Sequence, residues 1–130
     1  MKIIHPIYLI PITGLLLTFM SLSHAEDKLN SKDLEKLISG NTVEEKNIQH
    51  GWENKIFFTT TGKFHRIDQN KNTETGNWDI ESDGSVCLDR RKRKCWTLML
   101  VNNNTYNVYS RWGDRHKKVW KVVIGNPYKL

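Results

Sequence analysis

After residue 25 the chain has a single proline, Pro127, and no low-complexity run, so it reads as globular rather than disordered. The only cysteines are Cys87 and Cys95, and the three histidines of this part, His50, His65 and His116, lie in separate segments. A zinc site needs about four nitrogen or sulfur ligands. Without a second cysteine pair, a His-x-x-x-His or a His-Glu-x-x-His, no metal ligands are expected. There is no Gly-x-Ser-x-Gly elbow, Ser-x-x-Lys, phosphate loop or dinucleotide fingerprint, so no catalytic residues and no cofactor are expected either. Glu44-Glu45 and the group Asp79, Glu81 and Asp83 offer carboxylates, but nothing gives them the facing geometry of a glycosidase, and an acidic outer face accounts for them. With no recognition helix and no RNP-type strand, nucleic acid is not an expected partner. Asn103-Asn104-Thr105 is a glycosylation sequon, relevant only in a eukaryotic secretory pathway.

What is present begins at the N-terminus. Lys2 supplies positive charge, an uncharged and mostly apolar stretch runs from Ile3 to Leu22, and Ser23-His24-Ala25 is a small-x-small tail before the charged Glu26-Asp27-Lys28. That is the layout of a secretory signal. An uncleaved anchor is the alternative, since about 18 apolar residues can span a bilayer, but Pro6, Pro11, Gly14 and the tail favour cleavage after Ala25. No cysteine near the junction could carry a lipid. The expected organisation is a signal peptide over 1–25 and one domain over 26–130, periplasmic or secreted, with no stable membrane span left after cleavage. These 105 residues suffice for one modest core, and all five tryptophans fall within them. An even pair of cysteines in an exported chain favours a Cys87–Cys95 disulfide.

Leu29 to Leu34 looks like a helix start, with Asn30 as cap, Asp33 at the positive end and Leu29 stapled on Leu34. Leu34, Leu37 and Ile38 share a face and Gly40 stops the helix, which is expected over about 31–39. Beyond Gly40 the period changes to two. Trp52 to Phe58, Lys63 to Asp68, Asn77 to Glu81, Val86 to Leu88, Cys95 to Val101, Tyr106 to Trp112 and Lys118 to Ile124 read as strands after a first one near Asn41 to Lys46. Asp83-Gly84 is the strongest hairpin signal and Asn102 to Asn104 a further turn. No helix separates these strands, which disfavours parallel crossovers. The expected fold is mostly β: an antiparallel meander of about eight strands closing into a small barrel, with the helix over one end or edge. A β-sandwich is the alternative that spacing does not separate. If Cys87 faces Cys95 across a hairpin, Val86 and Leu88 fall on the opposite face with Trp96 and Leu98, a consistent apolar set.

Charge is uneven. Residues 26–89 carry eight Lys/Arg against thirteen Asp/Glu, whereas 90–130 carry eleven against one. The sharpest local feature is the run Arg90, Arg91, Lys92, Arg93 and Lys94, which with Arg115 forms the candidate site for an anionic partner, helped by Arg111, Lys117 and Lys118 if the fold brings them near. A solvated hairpin tip that prevents edge aggregation is the plainer explanation. Trp52, Trp78, Trp96, Trp112 and Trp120 sit at inward-looking positions, where they either line a ligand cavity or fill the lumen themselves.

Gly40-Asn41-Thr42-Val43 after a short helix, Phe57-Phe58 before Gly62, Gly76-Asn77-Trp78, Asp83-Gly84-Ser85-Val86-Cys87, Cys95 and Gly125-Asn126-Pro127 occur in a familiar order. In this ordered set the chain resembles a group of small exported bacterial proteins of unknown function with a lipocalin-like β-barrel. The resemblance implies the barrel and export, and brings no established activity or catalytic residue to carry over. The chain departs from the pattern in having Thr61 rather than aspartate before Gly62, and in the long basic insert between the cysteines. Together these readings lead us to expect an exported, non-enzymatic binding protein of unknown ligand, with its basic hairpin towards an anionic envelope component or a protein partner. One alternative is an inhibitor or immunity-type protein that plugs an extracellular enzyme with the loop at 89–95, and another is a hydrolase whose residues are scattered across strands.

Overall fold

The computed structural model describes residues 28–111 and 116–130, with the backbone alone at 116 and 117. The signal segment 1–25, Trp112 and Arg115 therefore lie outside the described residues.

Helix α1 spans Ser31–Ile38. The Asn30 side chain accepts the Asp33 amide at 2.8 Å, answering one of the free N–H groups at the helix start. Leu34 and Ile38 are completely buried, and Leu29 and Leu37 pack beside them. Gly40, at φ +78°, takes the left-handed turn that ends the helix, and its amide donates to the Phe58 carbonyl.

Eight strands follow: β1 Thr42–Asn47, β2 Glu53–Phe58, β3 Lys63–Asp68, β4 Thr73–Ile80, β5 Val86–Asp89, β6 Arg93–Asn102, β7 Thr105–Ser110 and β8 His116–Val123. Each pairs antiparallel with the next and β8 pairs with β1, so the sheet is a closed barrel and not a sandwich. Closure removes every free sheet edge. In such a meander alternate connections lie at the same end. The turns at 59–62, 81–85 and 103–104 lie at the end that α1 covers, where Leu29 donates to the Leu98 carbonyl. The connections at 48–52, 69–72 and 90–92 lie at the other end, which no helix among the described residues covers.

The half of the lumen beneath the helix is packed with side chains. Phe58 meets Trp78 edge-on at 5.5 Å and Trp120 at 6.0 Å, and Trp96 meets Trp120 at 6.1 Å between ring centroids. Val43, Phe64, Val86 and Leu98 close the remaining space without exposed surface. Gly76 belongs to this packing, because a Cβ there would come within 2.6 Å of the Asp89 carbonyl and 2.7 Å of the Phe64 ring. Trp52 departs from the expected inward set: it ends the turn before β2 and is only half-buried, outside the core cluster.

Cys87 faces Cys95 across β5 and β6, and the two form a disulfide. Val86, Leu88, Trp96 and Leu98 point into the core, as the register argument requires. The bridge sits on the outer face among ion pairs: Arg93 reaches Asp79, Glu81 and Asp89, and Arg111 reaches Glu81 and Asp83. The acidic group at 79–83 thus serves as a set of anchors for two arginines. Among the described residues no helix is long and apolar enough to cross a membrane.

Candidate functional site: the open mouth of the barrel

Strand alternation carries polar side chains into the lumen at the helix-free end. On β1, Val43 and Glu45 share the inward face, and on β2 Ile56 and Asn54 do the same. Arg66 lies opposite Ile56 on β3, Glu74 opposite Arg66 on β4, Lys94 opposite Leu88 on β6, and Lys118 opposite Val108 on β8. Inward positions are therefore apolar under the helix and charged towards the mouth.

Two carboxylates organise this end. Glu45, only 3% exposed, accepts from Asn54 Nδ2 at 2.9 Å and from the Trp120 indole N–H at 2.8 Å, and Lys118 Nζ stands 3.6 Å away. The reading of Glu44-Glu45 as part of an acidic outer face is corrected here: only Glu44 is outside, where it meets the Tyr128 hydroxyl. Glu74 is the second. Arg90 grips both of its oxygens, with contacts of 2.8 to 3.0 Å, and Arg66 approaches to 3.7 Å. Hydrogen bonding from Arg90 holds the Glu74 carboxyl below its usual range against the opposing effect of burial, and the charges of Arg90, Arg66 and Lys94 add to it.

The cations are the more telling half. Burial holds the Lys118 ammonium below the usual lysine range; Glu45 opposes this, and the nearby charges of Lys94, Arg90 and Arg66 reinforce it. Lys118 also stands 5.0 Å from the Trp96 ring centre and 5.9 Å from that of Trp52. Arg66 has a buried Nε with no hydrogen-bond acceptor among the described residues. Four cations thus converge on one barrel end.

The expected basic site divides on the structure. Arg90 turns to the lumen side and Lys94 shares that face. Arg93 turns outward and is occupied by three carboxylates. Arg91 and Lys92 are exposed at the tip of the β5–β6 connection. The run thus supplies two mouth groups, one structural group and two free tips, not five equivalent charges. Arg66, Glu74, Glu45 and Trp52 were not singled out for this site by the sequence, because nothing local marks a strand residue in a polar half of a barrel as inward-facing.

Two concave surfaces are near. A niche of about 250 Å³ at the mouth is lined by Trp52, Asn54, Arg66, Asp68, Gln69 and Asn70. A broader groove of about 770 Å³ crosses β8, β1, β2 and the end of β3, is bordered by Tyr128 and Leu130 of the C-terminal segment, and meets the niche at Asn54, Asp68 and Gln69. Its rim mixes Glu44 and Glu53 with Lys46, Lys55 and Lys121. The only cluster of metal-type ligands among the described residues, Glu81 with Cys87 and Cys95, has both sulfurs committed to the disulfide and is not a metal site. No protein-family model and no curated protein matches the chain.

Proposed function

We propose that this chain is an exported, non-enzymatic binding protein whose helix-free barrel mouth takes an anionic partner, an envelope component or an acidic protein surface. The observation that carries the reading is the convergence of Arg66, Arg90, Lys94 and Lys118 on one end of the lumen, with Arg91 and Lys92 on the adjoining turn. Glu74 answers Arg90, and more distantly Arg66 at 3.7 Å, while Glu45 answers Lys118, so the positive charge left over among the described mouth residues is concentrated in Lys94, Arg91 and Lys92. Cations held close against their mutual repulsion favour an incoming anion. The disulfide suits an oxidising compartment, and export is further supported by the pattern of residues 1–25 and by the resemblance to exported lipocalin-like proteins.

The test compares two pairs of exposed cations. Arg91→Ser with Lys92→Ser removes charge at the mouth; Lys32→Ser with Lys36→Ser removes the same charge from the helix at the opposite end. The first variant should leave heparin resin at clearly lower salt than the second, with unfolding midpoints nearly unchanged, because exposed charges contribute little to stability. Added salt should weaken retention in both, as screening acts within about 8 Å at physiological ionic strength. Equal losses from the two pairs would mean that net charge alone is read.

A further inference from the structure

The niche beside the charged mouth has a composition that net charge does not require. Trp52 supplies a half-buried indole, while Asn54, Gln69 and Asn70 supply amides, Asp68 a carboxylate and Arg66 a guanidinium. We infer that this niche is a subsite for one ring of an anionic saccharide, a reading that rests on the anion-binding mouth proposed above and specifies its ligand.

A sugar ring presents an apolar C–H face, which an indole can cover, and a rim of hydroxyls, each of which both donates and accepts. Amides offer both functions, a carboxylate accepts and a guanidinium donates, so this set can meet such a rim. A purely ionic site would have no use for three amides and an indole. Several of the groups are held in place with capacity to spare. Asn54 donates to Glu45 through Nδ2, which leaves its carbonyl oxygen as an acceptor. Asp68 accepts the Asn70 and Asn72 backbone amides on Oδ1, which fixes the loop that carries its carboxylate beside the niche. Gln69 accepts the Glu53 amide on Oε1, so its NH₂ is a donor. Arg66 Nε is a buried donor still lacking an acceptor. The turn that carries Trp52 is also fixed, because the Asn47 side chain accepts the Gln49 and His50 amides. The niche, at about 250 Å³, lies below the usual range for drug-sized ligands and suits a single ring. Lys118, with its ammonium 5.9 Å from the Trp52 ring centre, is the cation beside the niche that would meet a sulfate or carboxylate substituent of the same sugar.

The experiment is calorimetric titration of the disulfide-bonded protein with a heparin-derived tetrasaccharide and, separately, with polyphosphate of matched charge. The tetrasaccharide should bind more tightly than polyphosphate. Trp52→Ala should weaken tetrasaccharide binding by up to about tenfold, the scale of one lost aromatic contact, and leave polyphosphate binding unchanged. Trp52→Phe should keep most of the affinity. Gln69→Ala with Asn70→Ala, both exposed and so safe for the fold, should weaken only the tetrasaccharide. Equal binding of the two probes with a silent Trp52→Ala would overturn the saccharide assignment while leaving the anionic mouth standing. Binding of neither probe would overturn both.

Discussion

At the residue scale, the side chain on which the barrel's polar half depends is Glu45. Its carboxylate is shut inside the lumen, where it holds the Trp120 indole, the Asn54 amide and Lys118. Removing one member of a buried ion pair leaves the other uncompensated. Glu45→Ala should therefore destabilise the protein by on the order of 3 kcal/mol in denaturant titration, whereas Glu44→Ala, one residue away on the outer face, should change little. Glu74 makes a second prediction. Arg90 and its neighbours lower its folded-state pKa below the ordinary value of 4.5, so the stability it contributes is complete above that pH and is lost as pH falls through the folded value. In Glu74→Gln the acid limb of the stability–pH curve should be shallower than in the parent below about pH 4.5. An identical slope would show that the Arg90 contact is not carried into solution. Neither residue could be assigned from the sequence. Glu45 sits next to another glutamate, and Glu74 lies among Thr73, Thr75 and Gly76, where both faces of the strand are polar and the period of two carries no apolar signal.

At the scale of elements, what was legible follows the apolar half of the barrel. The helix is specified locally by Asn30, Asp33 and Gly40, and it spans Ser31–Ile38, within one residue of expectation. The β4–β5 turn forms at Asp83-Gly84, with Gly84 at φ +83° and the Asp83 side chain accepting the Ser85 amide. The β5–β6 register follows from placing the apolar residues inside and the cysteines outside. By contrast β4 begins at Thr73, earlier than expected, because its first half runs through the charged mouth where hydrophobic alternation is absent. The same distinction explains the basic run. Its sequence order could not disclose that Arg93 faces Asp79, Glu81 and Asp89 across two strands while Arg90 turns inward to Glu74. The disulfide ties this hairpin together across eight residues of sequence. Cys87→Ser with Cys95→Ser should cost roughly 2 to 3 kcal/mol through the lost loop constraint. Free thiols in native, unreduced protein, or an unchanged unfolding midpoint in the double variant, would contradict that role.

At the scale of the whole molecule, the opposed charges of the two sequence halves are resolved in two ways. Part of the excess is neutralised across the barrel wall, Arg93 and Arg111 of the basic half meeting the acids at 79–83 of the other. Arg90, Lys94 and Lys118 of the basic half gather with Arg66 at one end of a lumen whose other end is filled with rings and closed by the helix. The barrel is therefore polarised, with the ring-packed core under α1 and the converging cations at the mouth. The most direct test is an amide chemical-shift titration of the ¹⁵N-labelled protein with the heparin-derived tetrasaccharide, repeated at raised salt. The account predicts shifts concentrated in the connections at 48–52, 69–72 and 90–92 and at Arg66, Lys94 and Lys118, fading as salt is added, with α1 unmoved. Shifts centred on α1, or on Lys121, Tyr128 and Leu130 at the far side of the broader groove, or spread evenly over all surface lysines, would contradict it.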